Sequence, residues 1–93
     1  MKMSVYERKA KAIGVTIEPS RRQHSKYDVF KGGVYQASIG DSRYKDYERY
    51  RKEQGQAVAD KRRAAWRARH VHRTTKYRDG KLTAAYLASE ILW

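Results

Sequence analysis

The stretch Tyr27-Asp28-Val29-Phe30-Lys31-Gly32-Gly33-Val34-Tyr35-Gln36-Ala37-Ser38-Ile39 sets two β-rich runs on either side of a Gly-Gly loop. β-branched and aromatic side chains suit a pleated, half-buried surface, and paired glycines adopt the positive φ that a tight hairpin loop requires. This segment therefore predicts an antiparallel hairpin. Upstream, Val15-Thr16-Ile17-Glu18 is a third β-rich run, ended by Pro19, which has no N–H to give to a central ladder. Downstream of Gly40 the apolar spacing becomes helical. The chain thus reads as α+β: a small two- or three-stranded antiparallel sheet followed by two or three helices.

Asp41 or Ser42 is available to cap a helix running from Arg43 to about Gln54. Gly55 interrupts it, because glycine costs about 1 kcal/mol relative to alanine within a helix, and a second helix runs from Gln56 to about His70. Asp79-Gly80 is a turn, and Thr83 caps a last helix reaching Trp93. Tyr44, Tyr47 and Tyr50 recur every third residue and are expected to cover the sheet, rings inward and hydroxyls outward, in preference to the alternative of stacking on bases. Ala57, Ala64, Ala65, Ala68 and Val71 form a narrow small-residue face on the second long helix. The last helix has almost no polar side. A helix apolar all round is buried or docked, so it reads as core, with Tyr86, Leu87, Ile91, Leu92 and Trp93 the candidate interface to a partner or to a second copy of the chain. Residues 1–14 mix Lys2, Arg8, Lys9 and Lys11 with scattered apolar positions and read as a basic N-terminal arm or a short frayed helix, leaving 15–93 as a single domain.

Between Lys61 and Arg78 there are eight basic residues and no acidic one, and six of the eight are arginines. The planar guanidinium matches phosphate with two parallel hydrogen bonds and also stacks on bases. Thirteen basic and four acidic residues lie between Arg43 and Arg78, so this region holds nine of the chain's twelve net positive charges. Such a concentration favours a polyanionic partner and makes its binding sensitive to salt. The candidate nucleic-acid-binding residues are Arg43, Arg49, Lys61, Arg62, Arg63, Arg67, Arg69, Arg73, Lys76 and Arg78. Arginines spread around a helix suit backbone contacts better than reading base edges, so little sequence preference is expected. DNA is expected ahead of RNA as the ligand.

Other chemistries find less support. Cysteine is absent from the 93 residues, which removes disulfides and thiolate-bound zinc. His70-x-His72 has no third ligand nearby, and on a helix its two rings point about 200° apart, so neither metal nor cofactor is expected. Gly33-Val34-Tyr35 and Ile39-Gly40 lie too close together to be the paired tripeptides of the nuclease family named for GIY and YIG. No clustered acid, nucleophile and partnered base exists from which to build a mechanism, and the chain reads as non-enzymatic. No run approaches the roughly 20 apolar residues of a membrane span.

Tyr44-Lys45-Asp46, then Trp66-Arg67-Ala68-Arg69-His70, Gly80 and a closing Ile91-Leu92-Trp93 follow one another in an order that resembles a group of small basic proteins encoded by tailed phages and by large DNA viruses of eukaryotes. The resemblance covers Lys26 to Trp93, about two thirds of the chain. It implies a viral origin and no more; the expected setting is a phage, with the protein in the virion or the host cytoplasm. The expectation is a genome-organising or virion-associated protein that holds nucleic acid electrostatically. Its rival is a structural or interaction protein, a minor capsid component or an inhibitor docking on an acidic host or viral protein.

Overall fold

A computed structural model describes residues 3–70 and 75–93. Strands β1 (Thr16–Pro19), β2 (Ser25–Lys31) and β3 (Val34–Asp41) pair antiparallel in the order β1-β2-β3. The Gly32-Gly33 loop closes the β2–β3 hairpin, both glycines having positive φ. Pro19 sits at the end of an edge strand, where its missing N–H costs no central ladder bond. Ile17 lies opposite Val29, Val29 opposite Ala37, and Tyr27 opposite Ile39, so one face of the sheet carries the apolar set. A bulge after Val29 takes Gln36 out of the pairing. Its side-chain amide oxygen accepts from the Leu82 N–H at 2.8 Å and so joins the sheet to the C-terminal part of the chain.

Among the described residues, four helices complete the fold: α1 (Val5–Ala12), α2 (Tyr47–Gln54), α3 (Gln56–His70) and α4 (Ala84–Ile91). A short hairpin, β4 (Tyr77–Arg78) with β5 (Lys81–Leu82), precedes α4. Thr83 caps α4 as its position predicts, and Gly55, at φ +93°, separates α2 from α3. Ala10, Val15, Val29, Ile39, Leu82, Leu87, Ile91 and Leu92 form the core, so α1 and α4 together cover the apolar face of the sheet. α3 packs along α2, and Ala59 is its one buried residue. The most basic helix therefore stands off from the core.

Several expectations change. Val5–Ala12 form a helix packed on the core where an arm or a frayed helix was the expectation. Ser4 and Glu7 make a reciprocal capping box, and Tyr6, Ala10 and Ile13 recur at helical spacing to bring α1 onto the core. The first long helix begins at Tyr47 instead of Arg43, because Asp46 and not Asp41 or Ser42 accepts the orphan N–H of its first turn. Asp79-Gly80 turns as expected, but between two strands that were not anticipated. Leu87, Ile91 and Leu92 lie inside the core, so they are not a surface for a partner; Tyr86 and Trp93 are only half-buried. The tyrosine stripe divides, with Tyr47 buried, Tyr50 half-buried and Tyr44 exposed. Arg73, His72 and Val71 lie outside the described residues.

Candidate nucleic-acid interface

The candidate cations fall into three groups. Arg43 and Arg49 are held by carboxylates. Arg43 donates two bonds to Asp41, from Nε at 2.9 Å and from a terminal nitrogen at 2.8 Å, and Arg49 Nε donates to Glu53 at 2.7 Å. The Arg43 bonds hold the Asp41 carboxyl well below the usual range. Arg51 is engaged in the same way with Glu48, at 2.9 Å. These guanidiniums have spent part of their bonding capacity within the chain.

Arg63 and Arg67 brace α3 against the rest of the fold. The Arg63 guanidinium lies 4.2 Å from the centre of the Tyr47 ring and 3.4 Å from Asp60, and Arg67 donates to the main-chain oxygen of Trp93 at 3.3 Å. Lys9 of α1 approaches the same Tyr47 ring at 5.6 Å. Burial, together with the positive charges of Arg63 and Arg67, pushes the Lys9 amine down, against the opposing pull of Glu48 and Asp46.

Among the described residues, no carboxylate lies within 4 Å of Lys61, Arg62, Arg69, Lys76 or Arg78. Lys61, Arg62 and Arg69 are exposed on α3, and Lys76 and Arg78 are exposed around β4. Lys76 lies over the rings of Tyr77 and Tyr86, at 5.6 and 5.3 Å.

Arg62 and Arg69 come together with aromatic residues in a cleft of about 560 Å³ between α3, α4 and the end of β3 with the loop that follows it. The spacing 62, 66, 69 puts Arg62, Trp66 and Arg69 on one stripe of α3. Trp66 stacks on His70, with ring centres 4.1 Å apart, and on Trp93 at 5.5 Å, both nearly parallel. Tyr50 tilts against Trp93 at 6.3 Å, and the Arg62 guanidinium lies 5.3 Å from the Tyr50 ring centre. Tyr44, 69 % exposed, and Lys45 complete that side. Lys45 reaches Glu53 at 2.9 Å.

The arginine run drew attention to α3 but not to this cleft. The signal available was the tryptophan four residues after Arg62 and three before Arg69, a pairing of ring and cation that charge counting ignores. Trp93 belongs by sequence to the apolar C-terminal run, and no local pattern links it to Trp66. His70 turns its Nδ1 to the Trp66 carbonyl at 2.8 Å, an intrahelical contact, and no group of three or more His, Asp or Glu side chains gathers among the described residues. No helix among them is long and apolar enough to cross a membrane. No family model matches this chain, and neither the curated proteins nor the solved structures include one with significant similarity to it.

Proposed function

We propose that this protein binds nucleic acid through the exposed cations of α3, electrostatically and with little sequence preference, in a non-catalytic role. The observation that carries this reading is the exposure of Lys61, Arg62 and Arg69 on a helix whose one buried residue is Ala59. Unpaired cations destabilise the protein by repelling one another, and a phosphate backbone relieves that repulsion while releasing counterions. DNA stands ahead of RNA as the ligand. The viral setting, with a role in organising or packaging a genome, rests on the order of motifs from Tyr44 to Trp93. The rival reading, docking on an acidic protein, loses most of its apolar anchor because Leu87, Ile91 and Leu92 are core residues.

Binding to a DNA duplex at two or more ionic strengths tests the proposal. The slope of log affinity against log salt is expected to fall by about 0.9 for each phosphate deprived of its cation. Arg62→Ala and Arg69→Ala should each lower it, whereas Arg49→Ala, which removes a guanidinium already bound to Glu53, should leave it unchanged. Absence of binding to either duplex or single strand near 50 mM salt would sink the proposal in favour of an acidic protein partner.

A further inference from the structure

Duplex DNA offers α3 its phosphates, but it gives no access to the faces of its bases, which are stacked on one another. The cleft beside α3 is built for something more. It holds four aromatic side chains, Tyr44, Tyr50, Trp66 and Trp93, next to the guanidiniums of Arg62 and Arg69. Its volume of about 560 Å³ lies in the range of roughly 300–1,000 Å³ typical of small-molecule sites and far exceeds a packing defect in a close-packed interior. The one carboxylate on its wall, Asp41, is neutralised by the two bonds from Arg43 and so does not repel a phosphate strongly. Tyr44 projects into solvent at the rim with no ring stacked on it among the described residues.

Building on the nucleic-acid reading above, we infer that the cleft seats an unstacked base of a single strand, with the base on the exposed Tyr44 ring beside the Trp66–Trp93 stack and the flanking phosphates against Arg62 and Arg69. Aromatic platforms beside a basic track are how sequence-tolerant single-strand binders hold their ligand, since every base has a stackable face. The chain therefore prefers single strands to duplex, a selectivity that charge alone does not produce.

Trp66 and Trp93 are the chain's only tryptophans and both line the cleft, so the intrinsic tryptophan emission of the full chain reports on this site alone. The probes are oligo(dT), a duplex of equal length and thymidine monophosphate. Oligo(dT) is expected to quench the emission saturably, and the duplex to bind more weakly without quenching. Tyr44→Ala should weaken oligo(dT) binding about tenfold, the order of one base stack, and leave duplex affinity as it was. Because Tyr44 is largely exposed, the thermal unfolding of this variant should match that of the parent. Equal affinity for strand and duplex with unquenched tryptophans would overturn the inference while leaving the phosphate reading intact. Displacement of oligo(dT) by an equal concentration of thymidine monophosphate would also overturn it, assigning the cleft to free nucleotides. Failure of both oligo(dT) and duplex to bind at low salt would remove the function proposed above together with the cleft's role.

Discussion

Asp46, 4 % exposed, joins three parts of the chain through one carboxylate. It accepts from the Arg49 N–H at 3.1 Å as the cap of α2, from the Tyr6 hydroxyl of α1 at 2.6 Å, and from Lys26 of β2 at 3.0 Å. Replacing it with alanine strands a largely buried ammonium, a loss of about 3 kcal/mol, and removes a helix cap at about 1 kcal/mol more. Asp46→Asn keeps an acceptor for the cap but not the charge. Urea denaturation should therefore rank the parent above Asp46→Asn and Asp46→Asn above Asp46→Ala; equal midpoints for the two variants would show that the cap adds nothing. Gly40 offers a second test, of space combined with backbone conformation. At φ +77° it lies in the left-handed region, and a Cβ there would meet the Leu92 Cδ1 at 2.9 Å and the Lys26 Cδ at 3.0 Å. Gly33, at φ +79°, has open space around it. Both alanine variants lose about 1–2 kcal/mol to the left-handed backbone. Gly40→Ala should lose about 1–3 kcal/mol more because Leu92 is fixed in the core. A matching loss at Gly33 would mean that Leu92 and Lys26 move aside at no cost.

The elements divide into those specified by neighbouring residues and those specified across the fold. The β2–β3 hairpin, the start of α3 and the Thr83 cap of α4 were readable in the sequence, because Gly32-Gly33, Gly55 and a threonine before an apolar run act within a few residues. The start of α2 was not. Asp41, Ser42 and Asp46 are all competent caps, and the choice falls to Asp46 through Tyr6 and Lys26, respectively 40 and 20 residues away, and through the Tyr47 N–H, which donates to the Leu92 carbonyl at 3.2 Å. The two-residue strands β4 and β5 carry too short a pattern to recognise. α1 was hidden by its own lysines and arginine, which obscured the Tyr6, Ala10, Ile13 stripe. In the same way the run of arginines pointed to α3 while leaving unread which of them are bound to carboxylates, and the Trp66–Trp93 stack spans 27 residues that no local rule connects. The placement of α1 has a direct consequence. Ala10 is 1 % exposed in the core, whereas Lys11 beside it is exposed. Ala10→Glu buries an unpaired charge and should cost roughly 3–5 kcal/mol, while Lys11→Glu should remain within about 0.5 kcal/mol of the parent. Chemical denaturation that finds the two variants alike would return α1 to the status of an arm.

On the scale of the whole molecule, the balance of twenty-two basic against ten acidic residues makes stability depend on pH at both ends. On the acid side, the hydroxyls of Ser20 and Ser38 lower the Asp28 carboxyl below its ordinary 3.8, and Arg51 lowers that of Glu48 below 4.5. Folding favours their charged forms, so their contribution is complete above those ordinary values and is lost as the pH falls through the lowered ones. Protonation of the remaining carboxylates then adds to the repulsion among the cations. On the alkaline side, burial and the bond to Asp46 raise the Tyr6 hydroxyl well above 10.0, and burial with the charges of Asp46 and Glu7 raises Tyr27. Folding there favours the protonated phenols, so their contribution is complete below pH 10.0 and is lost as the pH climbs beyond it toward the raised values. Lys9 acts in the opposite sense: its lowered amine costs stability at neutral pH, and that cost fades as the pH rises to its ordinary 10.5. Two raised phenols outweigh one lowered amine, so thermal unfolding followed by circular dichroism should show a plateau from about pH 5 to about pH 9.5, with a fall on each side. Tyr6→Phe separates the contributions. It removes a hydrogen bond to a buried carboxylate and should lower the plateau by about 1–3 kcal/mol. It also removes a titrating phenol, so the variant should lose less than the parent between about pH 10 and about pH 11.5, and the two curves should converge there. An alkaline fall as steep in Tyr6→Phe as in the parent would place the sensitivity elsewhere, in Tyr27 or in the lysines.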